Sequence, residues 1–433
     1  MTIVEFFDRE MLENIVGTLM LQPKHVVLFG NNKQEMTTFQ KRMLKILTKK
    51  KIATTIEVVE VDTKNYNAIA GVLNQLIDTY PDCVFDLTGG EPMILVAMGA
   101  VSAERSVPLH AISPENYVVK TILHGNQEQK KTQHVAPTVY ESVSLYGGTI
   151  SLGFPESKKS FSLLYNELNR DITALWYILR KNCGNWNTAI DTISSWINPE
   201  ESKKNTLTFT VPQGFSLDSQ RNSHKFLCTN TMLKQLTDKK ILIPQKTDKN
   251  RCYAFKNKQM HYALSKSGTV LELYTLLCVL STKRDDGAPL ITDAVSGAVI
   301  DWTQAKDKHD DVRNEIDVLT TAGVIPVFIS CKNGGVSSDE LYKLNTVAER
   351  FGGKYAIKIL VMTQAYVRRS FLRRAAAMDI KVIRGVHEMS REVFIKKLQD
   401  SITQKTLLDE RTIKLATKGE KNAVSIYQRF RCN

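Results

Sequence analysis

Two short stretches late in the sequence gather side chains able to break a phosphodiester bond. In Asn314-Glu315-Ile316-Asp317-Val318-Leu319 an extended backbone puts Glu315 and Asp317 on one face and Ile316 and Val318 on the other, because side chains alternate along a strand. In Val327-Phe328-Ile329-Ser330-Cys331-Lys332 the same alternation groups Ser330 with Lys332, opposite Ile329 and Cys331. A lysine ending an apolar run is costly unless its charge is used. Phosphodiester hydrolysis needs a divalent cation to activate water and stabilise the departing charge. It also needs a positive group near the attacking hydroxide and the crowded phosphate. A carboxylate strand, a turn and a strand ending in lysine supply those parts within sixteen residues. The inert alternative is a solvated strand pair with a Glu315–Lys332 surface contact.

The pattern resembles the PD-(D/E)xK nuclease core. That resemblance implies that Glu272, on the preceding helix, and Asp317 hold Mg²⁺ or Mn²⁺, helped by the main-chain carbonyl of Cys331. It makes Lys332 the group that positions the water and stabilises charge. One position departs from the family: two residues before Lys332 stands Ser330, where an acidic ligand is expected. Either Ser330 binds a metal-bound water, or Glu315 or Glu340 replaces the missing carboxylate. Lys343 is a further basic group on the helix that follows.

A second constellation lies near the N-terminus. One apolar strand ends in Leu28-Phe29-Gly30-Asn31-Asn32, and another runs from Val84-Phe85-Asp86-Leu87 into Thr88-Gly89-Gly90-Glu91-Pro92. Pro92 is set to open a helix. Adjacent glycines let the backbone approach a ligand and turn amides toward an anion, while Asp86 and Thr88 can bond sugar hydroxyls or base edges. No GxGxxG is present, which argues against a dinucleotide cofactor. Asp86-Leu87-Thr88-Gly89-Gly90 at the end of a strand resembles the ligand loop of the CRISPR-associated Rossmann-fold (CARF) sensor domains. The resemblance implies that this loop and Gly30-Asn31 line a pocket at a homodimer interface that binds a cyclic oligoadenylate, with cyclic tetra-adenylate the expected ring.

These residues need rigid elements behind them. Residues 24–123 alternate apolar strands (HVVLF, IEVVEV, CVFDL, VPLHAI) with amphipathic helices, the pattern of a parallel sheet covered on both faces. The reading is a Rossmann-like sensor domain over 1–148. Residues 149–262 form a connector with a winged-helix-like element, ending in a basic hairpin around LIPQKTDKNRCYAF. Residues 263–433 form a restriction-endonuclease-like α/β domain with a mixed sheet. The whole resembles the CARF nucleases of type III CRISPR systems, which implies a cyclic-oligoadenylate-activated homodimer that cleaves DNA, RNA or both. The rivals are a ligand-responsive winged-helix transcription regulator with a dead nuclease domain, and a restriction-type nuclease with no messenger.

Bulk properties fit a nucleic-acid enzyme. The net charge of +13 is uneven: residues 1–150 hold 14 Lys/Arg against 16 Asp/Glu, and the remainder 44 against 29. A basic surface of that kind suits a polyanion, because each neutralised phosphate releases counterions. The seven cysteines are scattered without a CxxC pair, the N-terminus lacks the positive start of a signal peptide, and no apolar run nears the ~20 residues of a membrane span. A cytoplasmic protein with no membrane partner is expected. No histidine sits in an HxH or HExxH spacing, which disfavours zinc hydrolases.

Overall fold

A computed structural model describes residues 1–115, 117–131, 135–152, 161–197, 207–215, 223–246, 251–302 and 313–403. The N-terminal body runs β1 (Thr2–Phe6), α1 (Glu13–Leu21), β2 (His25–Gly30), α2 (Lys33–Lys50), β3 (Thr55–Glu60), α3 (Tyr66–Thr79), β4 (Cys83–Asp86), α4 (Pro92–Arg105) and β5 (Leu109–Ser113). A hairpin, β6 (Val118–Leu123) and β7 (Asn126–Lys131), completes its seven-stranded sheet, ordered β3-β2-β1-β4-β5-β6-β7. The first five strands in that order are parallel. Strand order reverses between β1 and β4, and ligands of open α/β sheets bind at such a point, beyond the carboxyl ends of the strands.

The strand β1 extends the expected alternation by one unit at its start. Its side chains split between two cores: Val4 and Phe6 face one helical layer, Ile3 and Phe7 the other. The strand ending in Gly30 is therefore second in the chain, and the loop beside Thr88-Gly89-Gly90 is the one after β1. Only the second strand of the β6–β7 hairpin, NQEQKK, lacks an apolar pattern. The hairpin turns through His124 and Gly125, both at positive φ (49° and 79°), the conformation of a tight two-residue β-turn.

α5 (Val139–Leu145) and β8 (Thr149–Leu152) follow. The stretch expected to open the connector instead supplies an edge strand of the C-terminal sheet, with Leu152 opposite Ala298 and Thr149 opposite Asp301. The middle region then shows helix, helix, strand, helix, hairpin: α6 (Phe161–Lys181), α7 (Cys183–Ser195), β9 (Thr208–Thr210), α8 (Ser223–Asp238), β10 (Leu242–Gln245) and β11 (Cys252–Phe255). Its sheet is ordered β10-β11-β9 and is antiparallel, in the winged-helix order.

The C-terminal body comprises α9 (Lys258–Ala263), α10 (Thr269–Leu280), β12 (Asp293–Asp301), β13 (Arg313–Ala322), β14 (Ile325–Lys332), α11 (Asp339–Gly352), β15 (Ile357–Met362), α12 (Arg369–Ala377), β16 (Ile380–Ile383) and α13 (Arg391–Ile402). Its sheet runs β16-β15-β14-β13-β12-β8, parallel from β14 to β16 and antiparallel elsewhere. Nearly every residue of α10 is buried, so this helix forms a central post, with the Tyr274 ring stacked 4.4 Å from Trp176 of α6. Among the described residues no helix is long and apolar enough to cross a membrane.

Phe351 pins β8 and α5 to this body. It is fully buried, and a Cβ on Gly148 would lie 2.5 Å from its ring, so the turn before β8 closes directly onto the phenyl face. Phe351→Ala is expected to cost about 3–5 kcal/mol through the cavity it leaves, measured by chemical denaturation.

Candidate active site

The chemistry gathers where the C-terminal sheet loses its pairing. β13 and β14 form rungs from Ala322–Ile325 up to Val318–Ile329, and the described pairing stops there. At the next step the Asp317 carboxylate substitutes for a backbone acceptor: its Oδ2 accepts the Cys331 N–H at 2.6 Å and the Ser330 hydroxyl at 3.2 Å. On the other side β12 pairs with β13 at Ser296–Val318 and Ala298–Ile316, skipping Gly297, whose φ is +62°. The Ser296 hydroxyl donates instead to the Asp317 carbonyl at 3.2 Å. Asp317 thus sits on a skipped rung, with its Oδ2 fixed by main chain and its Oδ1 left without a protein donor among the described residues.

Lys332 ends β14 beside it. Its Nζ lies 3.8 Å from Asp317 Oδ2 and 3.1 Å from Glu340 Oε2, while Lys343 stands 3.3 Å from the other Glu340 oxygen. Burial pulls the Lys332 pKa down, but Asp317 and Glu340 push it up by more, so the ammonium persists. Burial raises Glu340, yet Lys332 and Lys343 together hold it below the usual carboxylate range. Glu340, on α11, is thus engaged by Lys332 and Lys343 beside the position where Ser330 stands for an acidic residue. Ser330 itself is a donor to Asp317.

Glu272, in the first turn of α10, is pushed up to about 8 by burial and then by Asp317 and Glu315. Asp317 is raised as well, burial outweighing the lysine. Glu315 lies at the exposed rim, 3.7 Å from Lys266. Burial keeps the Cys331 thiol protonated, so only its main-chain carbonyl suits a cation. Among the described residues no three His, Cys, Asp or Glu side chains converge as a metal site. The donor set that fits is smaller: Glu272 and Asp317, two half-buried carboxylates that oppose each other's ionisation, a conflict a divalent cation relieves.

In the N-terminal body Asp86, expected to reach a ligand, faces inward. It is 3% exposed, and its Oδ1 accepts the Thr88 N–H at 2.8 Å and the Thr88 hydroxyl. Burial and Glu13 raise it to about 6 against those two bonds, and the fully buried Glu5 beside it on β1 is raised well above its usual value by burial and by Asp86. Asp86 therefore builds the turn that presents Thr88, Gly89 and Gly90. Gly30 is packed against Met36 and Phe7, and Asn31 donates to Thr63 at 3.3 Å.

Reading from sequence missed the loop after β1. Asp8 Oδ2 accepts the Gly90 N–H at 3.1 Å, and a Cβ on Gly89 would lie 2.9 Å from Glu13. Glu13 is buried and binds the other body: Lys354 Nζ lies 2.6 Å away and the Tyr355 hydroxyl donates to it at 2.7 Å. Glu10 accepts the Lys354 N–H at 2.9 Å, beside Gly353 at φ +59°. A charged residue just past a strand at the switch point was the available signal, and it needed β1 to be recognised.

The Glu272 shift carries a sign. A carboxyl with a raised folded-state pKa binds its proton more tightly folded than unfolded, so stability falls as pH climbs from its ordinary 4.5 toward about 8. In protein stripped of divalent cations, Glu272→Gln should be more stable than the parent by on the order of 1–3 kcal/mol above pH 8, and nearly equal near pH ~5. Denaturant unfolding at the two pH values checks it.

No protein-family model and no curated protein sequence matches the chain. Solved structures do match. Protein VC1899 from Vibrio cholerae superposes with a TM-score of 0.70 at 19% identity, over 93% of this chain and 97% of that one. Can2 from Sulfobacillus thermosulfidooxidans, solved in complex with cyclic tetra-adenylate, gives a TM-score of 0.58 at 16% identity over the same shares, 93% and 97%. From the first sheet through the last, this chain has the fold of Can2 and protein VC1899, a fold that accommodates both its CARF-like loop and its nuclease-like sheet.

Proposed function

We propose that this chain is a metal-dependent nuclease of type III CRISPR antiviral defence, acting as a homodimer on DNA, RNA or both, and switched on by a cyclic oligoadenylate. The observation that carries the reading is the skipped rung at Asp317, which brings Glu272, Asp317, Lys332 and Glu340 to one place. Cyclic tetra-adenylate is the expected activator, because Can2, which shares the fold, was solved with it. Glu272 and Asp317, with the Cys331 carbonyl, are the groups that would hold Mg²⁺ or Mn²⁺. Such a cation supplies, when bound, a polarised water and neutralisation of phosphate charge. Lys332 contributes a persistent positive charge at the scissile phosphate, and Glu340 fixes its direction. Ser330 and the Cys331 amide hold Asp317 in place. Along the exposed side of α12, from its N-cap to its last turn, Arg368, Arg369, Arg373 and Arg374 have no ion-pair partner among the described residues and suit a nucleic-acid backbone.

The same reading supplies a route for control. The Thr88-Gly89-Gly90 loop rests on Asp8 and Glu13, and Glu13 grips Lys354 and Tyr355, which lead directly into β15, the neighbour of the lysine strand. A messenger that binds one arrangement of the loop better than another shifts the population of the nuclease arrangement with it.

Cleavage of plasmid DNA and single-stranded RNA with Mg²⁺ or Mn²⁺, with and without cyclic tetra-adenylate, tests the function. Turnover requiring both metal and messenger is expected, reduced about 100- to 1000-fold by Asp317→Asn or Lys332→Ala. Messenger-independent cleavage would favour a restriction-type enzyme, and DNA binding without cleavage would favour a regulator.

The contact between bodies has its own test. Lys354→Ala should leave messenger binding intact and lower the ratio of activated to basal cleavage about 2- to 30-fold. An unchanged ratio at unchanged binding would remove Glu13 and Lys354 from the route.

A further inference from the structure

A cavity of about 510 Å³ lies on the α2 side of the joint between the two bodies. That is within the roughly 300–1,000 Å³ of small-molecule sites. α1 and α2 cover the sheet face that packs on the C-terminal body, whereas α3 and α4 cover the other. The cavity is distinct from the glycine loop: none of Asp86, Thr88, Gly89, Gly90, Gly30 or Asn31 lines it. Its α2 wall is Glu35, Thr38 and Arg42, which fall on one side of the helix at i, i+3 and i+7.

Arg42 is half-buried there and held from outside its own helix. Its Nη1 donates to the Leu145 carbonyl at 3.2 Å, and the turn beside it fits closely. A Cβ on Gly147, at φ +91°, would lie 2.8 Å from Arg42 Nη2. Arg350, in the last turn of α11, lines the cavity from the other body, its guanidinium 6.0 Å from the centroid of the Phe351 ring. Trp302, also on the wall, meets that ring nearly at right angles, 5.5 Å between centroids. Glu35 is the one carboxylate on the wall among the described residues, and the Asn32 amide donates to its Oε2 at 3.3 Å. Neither arginine has an ion-pair partner among the described residues. Burial and then Arg350 lower the Arg42 pKa, with Glu35 offsetting them only in part: two cations share a cleft that lacks their counter-charge.

We propose that this cavity is a second ligand site, for a mononucleotide: Arg42 and Arg350 close on its phosphate, and Trp302 offers a ring to its base. The guanidinium fork matches phosphate oxygens two at a time, and an indole stacks on any base. A bare phosphate would leave most of the volume empty. The site goes beyond the nuclease reading and does not depend on it. It has a mechanical consequence, because α11 carries Arg350 in its last turn and Glu340, the partner of Lys332, in its first. A phosphate held by both arginines ties α2 of the sensor body to that helix.

Calorimetry on the full-length protein tests it, with adenosine 5′-monophosphate, inorganic phosphate and adenosine as probes, each with and without excess cyclic tetra-adenylate. The monophosphate should bind more tightly than phosphate or adenosine, whether or not the cyclic compound is present. Arg42→Gln and Arg350→Gln should each weaken it about 10- to 100-fold, the worth of a charge-assisted contact. Arg350 is exposed, so its variant keeps the fold, and an unchanged melting temperature shows it. Trp302→Leu should weaken the monophosphate about 5- to 100-fold and leave phosphate alone. No binding by the wild type, or full affinity in both arginine variants, overturns the site. Phosphate binding as tightly as the monophosphate, with no effect of Trp302→Leu, overturns the nucleotide assignment. Displacement by cyclic tetra-adenylate puts the monophosphate in the glycine loop and overturns the second site.

Discussion

A carboxylate that takes over a backbone hydrogen bond organises the C-terminal half. The Cys331 amide would ordinarily face a carbonyl on β13; it meets Asp317 Oδ2 at 2.6 Å. That exchange ends the ladder without orphaning a buried donor, whose cost would be about 1–3 kcal/mol. It also fixes the carboxylate more rigidly than rotamer preference alone. Because the β14–β15 pairing continues to Lys332 and Met362, the lysine stays on a rigid strand while β13 peels away. Charges collect in the opening between them, where Lys332 meets Asp317 and Glu340. Glu340 then balances Lys332, and Glu272 is left as a carboxyl that burial, Asp317 and Glu315 raise by more than Lys266 and Lys332 lower it.

The N-terminal half solves a related problem differently. Its acidic groups do not point outward to the expected ligand. Asp86 folds back onto Thr88, Glu5 is sealed beneath it, and Asp8 and Glu13 lie behind the two glycines. What such a loop offers a ligand is backbone, set on an acidic foundation. That foundation is shared with the other body, since Glu13 is bonded to Lys354 and Tyr355. Movement of the glycines is thereby a matter of charge as well as of shape.

Much of this was open to reading from the chain alone. The alternation Glu315–Asp317 and Ser330–Lys332 put the right side chains on the right face, since period-two alternation is local information. The helix bearing Glu272 and the Thr88-Gly89-Gly90 turn announced themselves for the same reason. What stayed hidden depended on distant partners. β1 contains Glu5 in the middle of TIVEF, and only the sheet shows that this glutamate is buried beside Asp86. β8 looks like the opening of a linker until it pairs with β12, far along the chain. Strand β7, NQEQKK, is exposed at every position and has no apolar face to betray it. The pairing of Glu340 with Lys332 likewise turns on how α11 crosses the sheet, which no local pattern encodes.

Gly353 leaves the two bodies no clearance. It sits at a left-handed φ of +59°, and any Cβ there would collide with the Glu10 carboxylate. The joint is thus a matched pair in the sense of heredity: a side chain at 353 is strained by its own backbone and obliges the Glu10 carboxylate to leave the Lys354 amide. Exchanging sensor modules between such proteins by recombination would have to carry both halves of the match, or inherit a hinge already jammed.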